Sequence, residues 1–169
     1  MPDRKTLERV KQDKKEGKSA STQAGEFVRE EMDHIREGKH GARSSKQAIA
    51  IGLSKARRAG VELPPPKKGK TSAETQRKAA RDSEVGEEAN HKVSGTRSHA
   101  TINALKHEPR TAASKTALSK HARFAARRRS GASRSASARK AAATKGSQGH
   151  SQAARKAAHT RAASRHATG

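Results

Sequence analysis

Thr22-Gln23-Ala24-Gly25-Glu26-Phe27-Val28-Arg29-Glu30-Glu31-Met32-Asp33-His34-Ile35-Arg36-Glu37-Gly38 is the stretch on which the fold turns. Thr22 is suited to cap a helix, Glu26 sits inside its first turns, and Gly38 can end it in a left-handed conformation. Ala24, Phe27, Val28 and Ile35, with Met32, recur at helical spacing as an apolar stripe. Arg29, Glu30, Asp33 and Arg36 fall on the face expected to meet water.

Downstream, residues 38–44 form a seven-residue basic, Gly-containing link, and Ser45 is placed to cap a second helix over Lys46–Ala59 that Gly60 closes. Its stripe is Ala48, Ile49, Leu53 and Ala56, and Gly52 leaves room for close backbone approach. The expected core of this hairpin is Phe27, Val28, Met32, Ile35, Ile49 and Leu53. Pro64-Pro65-Pro66 and the lysines after it make residues 64–70 a stiff basic linker, so the two-helix unit is bounded at 21–63. A unit so small predicts a homodimer through the hairpin.

Outside the hairpin the sequence thins. Apolar residues are 30% of the chain and only two are aromatic, Phe27 and Phe124. Ordering a residue costs about 1–2 kcal/mol of backbone entropy, so few anchors predict much disorder. The expected fold class is mostly α and disordered. Residues 1–20 read as a flexible or partly helical basic N-terminus, and 71–97 as a charged segment of low order. Residues 98–129 read as a basic, Ala-rich helical segment, with Thr111 capping a run through Arg129 after a break at Pro109. Residues 130–169 read as a disordered cationic tail that forms short helices only when a polyanion screens its repulsion.

The charge is unevenly spread. The formal net charge is +23, and the 61 residues from Pro109 onward carry fifteen Lys and Arg and no Asp or Glu. Such a stretch points to a polyanion as partner. Sequence-independent binding of phosphate backbones follows, with double-stranded DNA ahead of RNA because stacking aromatics are scarce. The expected phosphate-binding residues are Lys55, Arg57, Arg58, Lys67, Lys68, Lys115, Lys120, Arg123, Arg127, Arg128, Arg129, Arg134, Arg139, Lys140, Lys145, Arg155, Lys156, Arg161 and Arg165. An RNA- or ribosome-associated role and a plasmid-maintenance adaptor acting through the helical head are the alternatives. A base-reading helix-turn-helix is disfavoured, because a seven-residue turn is too long and the first helix is acidic.

Other chemistry finds little footing. There is no cysteine, hence no disulfide or thiolate metal site. No Gly-x-Ser-x-Gly or phosphate-loop motif is present, and the chain is not expected to be an enzyme. Glu31 to His34 and Glu88 to His91 both have Glu-x-x-His spacing, but a dimetal site of that kind needs a four-helix core with two more inward carboxylates. Both pairs are expected to be solvated, with no metal or cofactor. No apolar run is long enough for a membrane helix, and the first residues lack the apolar core of a secretory signal. A cytoplasmic, nucleoid-associated protein is the expectation.

Two resemblances accompany this. Over roughly Gln23 to Lys68, the runs Glu26–Met32, Gly38–Gly41 and Ser45–Gly60 resemble a small, uncharacterised domain family common in proteobacteria, whose members are often labelled plasmid stabilisation or DNA-binding proteins. That family brings no established activity. The basic Ala-rich tail resembles the tails of linker histones and bacterial histone-like proteins, although it uses more Arg than Lys and has no Pro after Pro109. The resemblance implies nucleoid association and compaction.

Overall fold

A computed structural model describes residues 2–67, 69, 71–87 and 94–166, the side chains of 164–166 excepted. The described residues form seven α-helices and one short 3-10 helix: α1 (Arg4–Lys15), α2 (Ala20–Glu37), α3 (Ser45–Arg58), α4 (Ala73–Glu87), α5 (Gly95–Lys106), the 3-10 turn Arg110–Ala113, α6 (Lys115–Arg127) and α7 (Gly131–His166). The chain divides into two compact units, 1–121 and 122–169.

In the first unit α2 is the central element, with α1, α3 and the 3-10 turn packed on it and α4 packed on α3. Ser19, rather than Thr22, caps α2, its Oγ accepting from Thr22 N at 3.4 Å. The earlier start makes room for α1 to turn back on α2. Gly38 (φ 79°, ψ 17°) ends α2 in the left-handed conformation, as its position suggested. Ser44, not Ser45, caps α3, accepting from Gln47 N at 3.2 Å. Ser45 is buried, and its hydroxyl donates to the Ala112 carbonyl at 2.5 Å.

The core has two parts strung along α2. At one end Ala24, Phe27, Ala56 and Val61 are buried, with Leu7, Val10, Leu53 and Leu63 against them. At the other Met32, Ile35, Ala42, Ala48, Ala112 and Ala113 are buried, flanked by Val28, Ile49 and Leu118. All six expected hairpin-core residues therefore lie in these clusters. Close approach of α2 and α3 depends on Gly52, where an added Cβ would stand 2.7 Å from Val28 Cα.

Several expectations are corrected. The region 1–20, expected to be flexible or partly helical, holds α1 over Arg4–Lys15, and this helix is docked: Leu7 and Val10 pack on the core, and Lys18 pairs with Asp13 at 2.7 Å across the turn. The segment before α5, expected to be of low order, contains α4. Its buried Asp82 accepts from Ser54 Oγ at 2.6 Å and Arg58 Nε at 2.7 Å on α3. Residues 105–113 are part of the first unit's core region, since Gly41 N donates to the Leu105 carbonyl at 2.8 Å and Ala42 N to the Pro109 carbonyl at 3.1 Å. The cap of the next helix is Ser114, which accepts from Ala117 N at 3.1 Å, while Thr111 lies in the 3-10 turn. Apolar cover for the hairpin thus comes from α1 and residues 105–113 of the same chain. The sequence offered no period to announce this, because contacts made by Ala and backbone carbonyls leave no stripe.

The largest correction concerns the tail. Residues 130–169 are not a long disordered tail. Within the second unit α7 is helical over Gly131–His166, interrupted at Gly146 (φ 64°, ψ 174°). Ser130 Oγ accepts from Ser133 N at 3.2 Å, capping its start. Thr144 and Thr160 donate back to Lys140 and Lys156 carbonyls, each at 2.9 Å. Alanine is the best helix former, and both halves of α7 reach or exceed the roughly 12–15 residues at which an isolated helix becomes marginal. Repulsion between the cations is diluted by Ala and Ser spacers and does not outweigh that propensity. Burial was the wrong criterion for this segment, because a helix satisfies its backbone internally without a core.

Candidate nucleic-acid interface

The expected phosphate contacts separate into two groups once the fold is known. Lys55, Arg57 and Arg58 are committed to the first unit. Lys55 Nζ lies 2.7 Å from Glu31 Oε2 and 3.7 Å from Glu30 Oε1. Arg57 is buried, and its guanidinium donates to the Leu63 carbonyl at 3.2 Å and the Pro64 carbonyl at 3.4 Å. Burial pulls Arg57 below the ordinary arginine range, with Asp82 opposing that shift. Arg58 is neutralised by Asp82. These three cations hold α3 to α2, to α4 and to the segment that follows α3, and a phosphate would have to displace protein partners to reach them.

The second group makes no ion pair with the described carboxylates. Lys67, Lys115 and Lys120 are exposed, as are Arg123, Arg127, Arg128, Arg129, Arg134, Arg139, Lys140, Lys145, Arg155, Lys156 and Arg161. Lys68 and the Arg165 side chain lie outside the described residues. Every ion pair among the described residues lies between Asp3 and Asp82. The reason is compositional, for beyond Glu108 the chain has no carboxylate side chain.

Local bonds order some of these cations. Arg134 Nη1 donates to the Arg129 carbonyl at 2.9 Å and the Ala126 carbonyl at 3.3 Å, taking up carbonyls left open where α6 ends. Arg129 donates to the Ser133 carbonyl at 3.0 Å. Arg128 stands over the exposed Phe124 ring, 5.7 Å from its centroid. Along α7 the cations point to all sides, since 134, 139, 140 and 145 are spread around the helix at about 100° per residue. That distribution suits a diffuse phosphate field and not a single groove.

One feature of the first unit had no signal in the sequence. An open pocket of ≈ 430 Å³ brings the starts of α3 and α6 together, lined by Arg43, Ser44, Ser45 and Lys46 from one side and by Ser114, Thr116, Lys120 and His121 among others from the opposite side. Its lining contains three permanent cations and no carboxylate. Helix starts favour anions, so the pocket's charge has the same sign as the acid-free stretch.

Comparison with known proteins adds one finding. Residues 11–68 are similar to a family of unknown function, DUF6496. The match takes in α2, α3 and the last five residues of α1, about a third of the chain, and leaves α4 to α7 unmatched. No curated protein and no solved structure matches the chain. No helix among the described residues is long and apolar enough to cross a membrane.

Proposed function

We propose that this protein binds nucleic-acid phosphate backbones without sequence preference, double-stranded DNA ahead of RNA, and acts as a nucleoid-associated, compacting protein. The observation that carries the reading is the separation of charge. All sixteen Asp and Glu residues precede Pro109, and fifteen Lys and Arg follow it. The described cations of that stretch are exposed on helices, apart from Arg165, and lack carboxylate partners of their own. Binding releases counterions from the polymer, and fifteen contacts set a limiting salt slope of about −13. The stretch holds no Asn and only Gln148 and Gln152 to read adenine edges, and its cations are spread around the helices, which favours sequence-independent contact. Preference for duplex over single strands follows from the aromatics, because Phe27 is core and Phe124 alone is exposed for stacking.

The test is binding of the full chain to a random DNA duplex and to a structured RNA across a salt series. A steep linear dependence of log K on log salt, equal for unrelated duplexes, is expected, with the duplex bound more tightly than the RNA at matched salt. A shallow slope or strong preference for one duplex sequence overturns the reading. Tighter binding of the RNA turns it to an RNA-associated role.

A further inference from the structure

The most heavily charged buried spot among the described residues lies away from the acid-free stretch, in the first unit. Glu31 is fully buried and Glu30 nearly so, although the α2 pattern places Glu30 on the face expected to meet water. Around them stand His34 on the same helix, His40 in the link, Lys55 on α3 and Asp3 at the start of α1. One ligand atom each from Glu31, His34 and His40 can be chosen so that all lie within 4.8 Å of one another.

Three observations argue that this cluster is built for a cation it does not supply itself. First, both Glu31 carboxylate oxygens and Glu30 Oε1 are buried without a hydrogen bond. The contacts that do approach Glu31, Lys55 Nζ at 2.7 Å and His40 Nε2 at 3.3 Å, have ion-pair distance but not hydrogen-bond alignment. A buried carboxylate left in that state is costly. Second, the Gly41 carbonyl lies 3.0 Å from His40 Nδ1, and a carbonyl only accepts, so Nδ1 carries the proton. Nε2 is therefore the nitrogen turned to Glu31 Oε1, at 3.3 Å, and the one placed to take a metal ion. Third, two buried carboxylates, Glu30 and Glu31, share one permanent cation, Lys55, while Lys39 is paired with Glu37 at 3.0 Å.

We propose that Glu31, His34 and His40 form a binding site for a zinc-class divalent cation, which ties α2 to the link before α3. Two imidazoles and a carboxylate are a donor set that zinc accepts, with a fourth position for water or another oxygen. At metal–ligand lengths of about 2.0 Å the donors would close to roughly 3.3 Å from one another, a small movement of side chains already gathered. The outer bonds are in place. His40 Nδ1 is held by the Gly41 carbonyl, and His34 Nε2 donates to Asp3 Oδ2 at 3.2 Å, the kind of partners that fix metal-bound imidazoles. Lys55 stays on Glu31 Oε2 and leaves Oε1 to the ion. Hard cations such as Mg²⁺ prefer all-oxygen ligands and should be refused.

Titration of the full chain with Zn²⁺ and with Mg²⁺ by calorimetry tests this, with Co²⁺ absorption reporting the donor set. One saturable equivalent of Zn²⁺, no Mg²⁺ uptake and intense visible bands of tetrahedral Co²⁺ are expected. H40Q, at a half-buried link position, should weaken Zn²⁺ binding at least tenfold. The H150Q/H159Q pair, remote in sequence, should leave it unchanged. If E31Q does not fold, H34Q supplies the second ligand variant, and circular dichroism of each variant shows that the helices persist. No saturable Zn²⁺ binding overturns the proposal. So does binding that H40Q and H34Q leave intact, because the ion would then sit on other histidines.

Discussion

Gly52 of α3 lies so close to Val28 of α2 that a Cβ on the glycine would stand 2.7 Å from Val28 Cα and 3.0 Å from its Cγ2. The nearest obstacle is Val28 backbone, which cannot rotate aside. Gly52→Ala gains about 1 kcal/mol in helix propensity but must push the helices apart, at roughly 1–3 kcal/mol for overpacking. A lowered thermal midpoint of the full chain is the expected outcome, and an unchanged or raised one would show that α2 and α3 separate easily.

Asp82 is the tether of α4. It takes hydrogen bonds from Ser54 and Arg58, and its removal leaves both donors on α3 with weaker partners. Asp82→Ala should cost about 1–3 kcal/mol. Amide exchange across Ala73–Glu87 should speed up, while that of α2, bounded by other contacts, should change little.

The turn between α1 and α2 carries a pH dependence of known sign. Hydrogen bonds to Asp13 and Glu16 raise the Lys18 ammonium above its ordinary value, and the bond from Lys18 holds Glu16 below its own. The raised group contributes stability below 10.5 that is lost as pH rises through its folded value. The depressed carboxylate contributes above 4.5 what is lost as pH falls through its folded value. The midpoint difference between wild type and Lys18→Met should therefore be flat between those values and shrink as pH falls below 4.5. The groups are exposed, so the difference should be small and reduced by salt.

Arginine substitutions should divide by location. The triple change Arg127→Ala, Arg128→Ala, Arg129→Ala removes three exposed cations and should flatten the salt slope of DNA binding by up to about 2.7. Arg58→Gln should leave that slope unchanged and lower the thermal midpoint, since its partner is Asp82. An equal loss of slope in both variants would place Arg58 on the DNA and break the division drawn from the ion pairs.

The α2–α3 hairpin was legible because both helices carry a large-residue apolar stripe, a capping serine nearby and a closing glycine at Gly38 and Gly60. Boundaries moved by one to three residues where neighbouring hydroxyl residues competed as caps, Ser19 with Thr22 and Ser44 with Ser45. α1, α4 and residues 105–113 were not legible as parts of the same unit. Their contacts use Leu7, Val10, Ala79, Ala112 and backbone carbonyls, too few and too small to make a period. The buried charge was hidden for a related reason. Glu30 and Glu31 fall beside the apolar stripe, and polar residues there are normally solvated.

Composition and spacing alone determined the hairpin, its core residues, and the separation of carboxylates from the acid-free stretch, since helix periodicity and net charge are properties of the chain order. Only the tertiary structure decided which cations are free. Lys55, Arg57 and Arg58 look like Lys115 or Arg128 in sequence, but folding sets Glu31, the Leu63 carbonyl and Asp82 against them. It likewise brought His40 to Glu31, nine positions apart and on different elements. Charge and local propensity act along the chain, whereas burial and pairing depend on which distant groups the packed helices set face to face.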